Sequence, residues 1–173
     1  VVQGTSPDLD LLIVVDNSIG MATKQEQLAA QIGTLIRGLV DPPCVNETGD
    51  IEAPLEGGGC SPGAARQFAP IGSLHVGVIT SSLGDLTAGS CASIANPDDK
   101  AHLINRSLSG DPVPTYNDQG FLAYEQGVDA TPDDLIVKTQ DLILGANQIG
   151  CGYEMPLEAM ARFLVDPTPY ESL

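Results

Sequence analysis

Apolar residues fall along this chain in two rhythms. The run from Leu9 reaches five consecutive apolar positions, Leu11-Leu12-Ile13-Val14-Val15, and stops at Asp16. A short stretch rich in Ile and Val and apolar on both faces predicts a strand buried in a parallel sheet flanked by helices. From about Ala22 to Val40 the rhythm changes. Leu28, Ile32, Leu35, Ile36 and Leu39 recur at helical spacing, which predicts one long amphipathic helix. Thr23 and Glu26 have the spacing of a capping box, and Pro42-Pro43 ends the helix. Leu74 to Thr80 reads as a second strand, which the right-handed crossover rule lays parallel to the first.

The rest of the chain is less periodic. Residues 41–72 are rich in Pro, Gly and acidic side chains and read as an irregular excursion. Residues 81–118 are also loop-like, with a weak helical patch near Asp98 to Leu108. Gly120 to Tyr124 predicts a short edge strand. Thr131-Pro132-Asp133-Asp134 is a helix start, with a capping Thr, a Pro at the first helical position and acids at the positive end of the dipole. That helix is expected to run to about Gln148. A last one, Pro156 to Val165, carries Leu157, Met160, Ala161 and Leu164 on one face. The expectation is a single α/β domain over residues 1–173. Two clear strands and one short one are few for three helices. The sheet therefore reads as incomplete, with further strands expected beyond Leu173 or from a partner.

Composition narrows the function. Hydrophobic residues make up 42% of the 173, enough to build a core and too many for a disordered chain. Aromatics are 4% and Trp is absent, so that core must be aliphatic. Seven Lys and Arg against 23 Asp and Glu give a formal charge of −16. This charge excludes the basic footprint of nucleic-acid binding and disfavours anionic membranes, while suiting divalent cations and basic partners. No apolar run is long enough for a transmembrane segment. Cys44, Cys60, Cys91 and Cys151 lie in loop-like stretches near Gly or Pro, and none belongs to a CxxC or Cys/His cluster. They predict two disulfides and an oxidising, extracytoplasmic setting (secreted, periplasmic or cell surface), with Cys44–Cys60 and Cys91–Cys151 favoured among the three pairings.

The richest chemistry lies at Asp16-Asn17-Ser18-Ile19-Gly20, just past the first strand. Ligands of open α/β sheets gather beyond the carboxyl ends of strands. There a carboxylate and a hydroxyl two residues apart offer oxygen ligands for Mg²⁺, Mn²⁺ or Ca²⁺. The plainer reading is that Asp16 and Ser18 turn and cap the chain. Elsewhere catalysis finds no support. His75 and His102 lack a Ser or Cys partner at a recognisable spacing, and there is no Gly-x-Ser-x-Gly elbow or P-loop. Gly57-Gly58-Gly59 is a flexible loop, and Asp98-Asp99 and Asp133-Asp134 read as helix-start acids. Asn46-Glu47-Thr48 and Asn105-Arg106-Ser107 are glycosylation sequons. A non-enzymatic protein is expected.

The strand Leu11 to Val15 followed by Asp16-Asn17-Ser18-Ile19-Gly20-Met21, the helix with Gln25-Glu26-Gln27-Leu28, and the strand Leu74 to Thr80 together resemble the von Willebrand factor A-type domain family. Gly150-Cys151-Gly152-Tyr153-Glu154 is similar to a later helix-opening segment in secreted, cysteine-containing bacterial members. The resemblance implies a Rossmann-like sheet flanked by helices, with the family's last metal-binding Asp lying past Leu173. It also implies a metal-dependent adhesion site, at which a bound divalent cation keeps a position for a partner's carboxylate. Asp16 and Ser18 match the first Asp and first Ser of that site. Gly20 stands where a second Ser is expected. Gly152 stands near the expected Thr, and Glu154 is the nearest oxygen donor. The expected function is adhesion or protein–protein binding at a protein or cell-surface ligand. The alternative is a metal-free structural module of a larger surface assembly.

Overall fold

The computed structural model describes residues 7–83, 99–150 and 154–165. In chain order its elements begin with β1 (Asp8–Val15) and α1 (Ala22–Val40). Three two-residue strands follow, β2 (Cys44–Val45), β3 (Ile51–Glu52) and β4 (Ala65–Arg66). Then come β5 (Ser73–Thr80), a 3-10 turn at Tyr116–Asp118, β6 (Leu122–Glu125), α2 (Asp133–Gly145) and α3 (Pro156–Val165). The architecture is α/β, built on a mixed sheet of order β1-β5-β6.

β1 and β5 pair in parallel from Asp8 against Ser73 to Val15 against Thr80, as the crossover rule predicts. β6 lies antiparallel on the far side of β5. Because side chains alternate across a strand, each strand supplies two faces. Leu9, Leu11, Ile13 and Val15 of β1 join Leu74, Val76 and Val78 of β5, and Leu122 and Tyr124 of β6, in the larger core. Ile32 and Ile36 of α1 and Leu135, Leu142 and Ile143 of α2 close it. The opposite face carries a smaller cluster, in which Leu12, Val14 and Ile79 meet Ala159 and Phe163 of α3.

α1 and α2 approach closely where α1 is narrow. A Cβ on Gly33 would stand 3.1 Å from Ile136 Cγ2. Beside it Gln140 Nε2 donates to the Ala29 carbonyl at 2.9 Å, and Arg37 pairs with Asp133 at 2.7 Å.

Several local expectations are corrected. No Thr23–Glu26 capping box forms: Met21 is the N-cap, with no side-chain cap bond, and its carbonyl accepts the Lys24 and Gln25 N–H groups at 2.9 Å. Residues 99–108 are not helical. Lys100 and Ala101 take positive φ, and the Ile104 N–H donates to the Val78 carbonyl at 2.9 Å, so the segment runs along the sheet. α2 ends at Gly145, short of Gln148, and at its start the Thr131 hydroxyl accepts the Asp133 N–H at 3.4 Å. α3 presents to the sheet not the Leu157, Met160, Ala161, Leu164 face but the side bearing Ala159 and Phe163. The excursion over 41–72 holds a small antiparallel sheet of order β3-β2-β4, stapled by a Cys44–Cys60 disulfide. Cys91 and Cys151 lie outside the described residues, as does Gly152.

Candidate functional site

β1 and β5 run in the same direction, so their carboxyl ends share one rim. At the end of β1 the chain turns sharply. Asp16 Oδ1 accepts both the Ser18 N–H at 2.9 Å and the Ser18 hydroxyl at 2.7 Å. This local Asx turn brings together the two side chains singled out in the sequence. The Asp16 carbonyl accepts from Gln25 Nε2 at 2.8 Å, and the same nitrogen donates to the Asn147 carbonyl at 2.8 Å. Gly20 N–H donates to Gln148 Oε1 at 2.9 Å. The turn is thereby pinned to the start of α1 and to the segment after α2.

β5 ends at Thr80 and is followed by Ser81 and Ser82, and all three hydroxyl residues are buried. Ser81 holds the start of the α3 segment through two contacts. Its hydroxyl donates to Glu154 Oε2, and its carbonyl accepts the Met155 N–H at 3.1 Å. Burial raises the Glu154 pKa above the ordinary carboxylate range; the Ser81 hydrogen bond opposes the shift, and the Asp16 carboxylate adds to it. Among the described residues Glu154 Oε1 has no hydrogen-bond partner.

Asn17 lies beneath the turn, fully buried, with neither Oδ1 nor Nδ2 partnered among the described residues. The Gly150 N–H donates to the Asn17 carbonyl at 2.9 Å, and a Cβ on Gly150 would fall 2.3 Å from Asn17 Oδ1. Only glycine fits there. Further along the rim, Thr80 donates to Asp99 Oδ2 at 2.8 Å, and Arg106 grips both oxygens of Asp99 at 2.8 and 2.9 Å. That carboxylate is committed to structure.

Asp16, Ser18 and Glu154 thus share one rim, and their oxygens are the hard donors that Mg²⁺, Mn²⁺ or Ca²⁺ prefer. The unpartnered Glu154 Oε1 is an acceptor such an ion would satisfy. Against a full ligand set, no group of three or more His, Cys, Asp or Glu side chains suited to a metal occurs among the described residues. Gly20 adds no side-chain oxygen; its φ of +97° is a conformation that serine rarely adopts, although nothing lies within 4 Å of a Cβ there.

Sequence reasoning passed over Asn17 and Ser81. Ser81 follows directly on a predicted strand, at the carboxyl end where ligands gather, and that position was a signal for it. No family model, curated protein or solved structure matches the chain.

Proposed function

We propose that the chain is a von Willebrand factor A-like binding module working outside the cytoplasm. It recognises a protein or cell-surface ligand at the rim formed by the carboxyl ends of β1 and β5, and it is not an enzyme. Asp16, Ser18 and Glu154 would hold a divalent cation there. Such a cation supplies positive charge to which a ligand carboxylate can bind. The observation that carries this reading is a rim that holds the Asp16 carboxylate, the Ser18 hydroxyl and the half-buried Glu154, whose Oε1 has no hydrogen-bond partner among the described residues. A hard divalent cation would satisfy that oxygen. The Cys44–Cys60 disulfide supports an oxidising compartment. No helix among the described residues is long and apolar enough to cross a membrane.

A second reading has its own support. Asp16 Oδ1 is already occupied by the backbone and hydroxyl of Ser18, which suits a metal-free structural module of a larger surface assembly. Calorimetric titration of Mg²⁺, Mn²⁺ and Ca²⁺ separates the two. Saturable binding that disappears in Asp16→Ala and in Glu154→Gln is the expected result. No binding to the folded protein overturns the cation site and leaves the structural module.

A further inference from the structure

We propose that the cleft between the sheet and the end of α3 binds a small aromatic amine. It lies about 20 Å from the rim, the length of strand between Asp10 and Asp16 at about 3.3 Å per residue. The inference does not rest on the cation reading. Strand alternation puts Asp10 and Leu12 of β1 on one face, and the parallel register sets His75 and Gly77 of β5 beside them. Leu12 belongs to the cluster that α3 covers, so these residues share the α3 side of the sheet. There they meet Leu103, Phe121 and Phe163 around a cavity of about 340 Å³, a size found among small-ligand sites (roughly 300–1,000 Å³). A Cβ on Gly77 would stand 2.7 Å from Leu103 Cδ2, so glycine lets Leu103 close in over the strand.

The lining has an apolar and a polar part. The apolar part is aromatic in a chain poor in aromatics: with three Phe and no Trp in the whole sequence, Phe121 and Phe163 both line this cleft. Tyr116 extends the Phe121 wall, their ring centroids 5.5 Å apart. Walls of this kind suit an aromatic ring. The polar part is the pair of Asp10 and His75, with Asp10 Oδ1 2.9 Å from His75 Nδ1. An ionised carboxylate only accepts, so Nδ1 carries the proton and the neutral ring presents Nε2 as an acceptor. The His75 ring stands 5.1 Å from that of Phe121, so acceptors and aromatic wall adjoin. A ligand with an aromatic body and a donating end fits both. Charge selects the donor. Asp8 and Asp10 are exposed on the same face at the start of β1, and the formal net charge is −16. An ammonium is drawn to this end of the cleft and a carboxylate is repelled.

The probes are three compounds of similar shape, 2-phenylethylamine, 2-phenylethanol and phenylacetate. Each is titrated into the full chain and followed by the methyl signals of the protein in NMR spectra. Saturable shifts at Leu12 and Leu103 are expected with the amine. The alcohol should bind several-fold more weakly, the difference an exposed ion pair makes, and phenylacetate should not bind. Asp10→Asn alters a side chain that is 90% exposed; it should bring the amine down to the affinity of the alcohol and leave the alcohol unchanged. No saturable binding of the amine would overturn the proposal. So would equal affinity for amine and alcohol, which marks an apolar hollow without polar recognition. Shifts centred on Ile19 would place the amine at the acidic rim, and an advantage of the amine that survives Asp10→Asn would remove the pair from recognition; either result overturns it as well.

Discussion

Gly145 and Gly38 both sit in helices, where replacing glycine by alanine ordinarily stabilises by about 1 kcal/mol. Their surroundings divide them. A Cβ on Gly145 would lie 1.8 Å from the Arg106 carbonyl oxygen, whereas one on Gly38 would meet nothing within 4 Å. The Arg106 backbone cannot give way, because its Nε donates to the Gly145 carbonyl at 2.9 Å and its other nitrogens hold Asp99. Urea denaturation should therefore show Gly38→Ala stabilised by about 0.5–1 kcal/mol and Gly145→Ala destabilised by about 3 kcal/mol or more. Nothing in the sequence separates the two glycines, since the distinction depends on a segment 39 residues away. Asp16 and Ser18 were legible for the opposite reason: an Asx turn is a contact between residues two apart. Asn17, between them, was not legible as a buried group, because its burial depends on Gly150 arriving from the end of the chain segment after α2.

At the scale of elements, period decided what could be read. β1, α1 and β5 announce themselves by long apolar repeats, and each is found within a residue or so of its predicted span. β2, β3 and β4 have two residues each, too short to show any alternation. The excursion they belong to is held instead by chemistry. The Cys44–Cys60 bridge spans 16 residues, and Arg66 reaches Asp41 at 2.6 Å, the Gly58 carbonyl at 2.7 Å and the Pro42 carbonyl. Closing a loop of this size contributes about 3 kcal/mol through the unfolded chain. Cys60→Ser should lower unfolding free energy by about that much, with hydrogen exchange at Val45 and Ala65 rising before that of β5. Between the long helices the Arg37–Asp133 pair makes a pH prediction. The Arg37 hydrogen bond, aided by Thr131, holds the Asp133 pKa below its ordinary value. The folded state thus binds this proton less readily than the unfolded one. The pair contributes stability above the ordinary carboxylate pKa and loses it as pH falls through the lowered one. Both groups are well exposed, so the effect is small. Asp133→Asn should melt slightly lower than the parent at pH 7, and the two curves should converge as the pH falls through the lowered pKa of Asp133.

For the whole molecule the governing fact is 23 acidic against 7 basic residues. Two of those acids, Asp16 and Glu154, lie at the rim bonded to Ser18 and Ser81, while Asp99, Asp133 and Asp134 are neutralised by Arg106, Arg37 and Lys138. General repulsion and a specific cation site both predict that salt stabilises the protein, but they differ in which salt. Screening depends on ionic strength, with a Debye length of about 8 Å at 0.15 M, and treats sodium and magnesium alike once that strength is matched. A site at Asp16 and Glu154 adds a saturable increment, reaching about 2.7 kcal/mol when the cation stands at a hundred times its Kd. Thermal melts in NaCl and in MgCl₂, MnCl₂ or CaCl₂ at equal ionic strength should therefore share a common rise in Tm. At least one divalent series should exceed it, and Asp16→Ala should remove the excess while keeping the common rise. Coincident curves for all salts, or an excess that survives Asp16→Ala, would make the charge of this protein a diffuse field with no binding site at the rim.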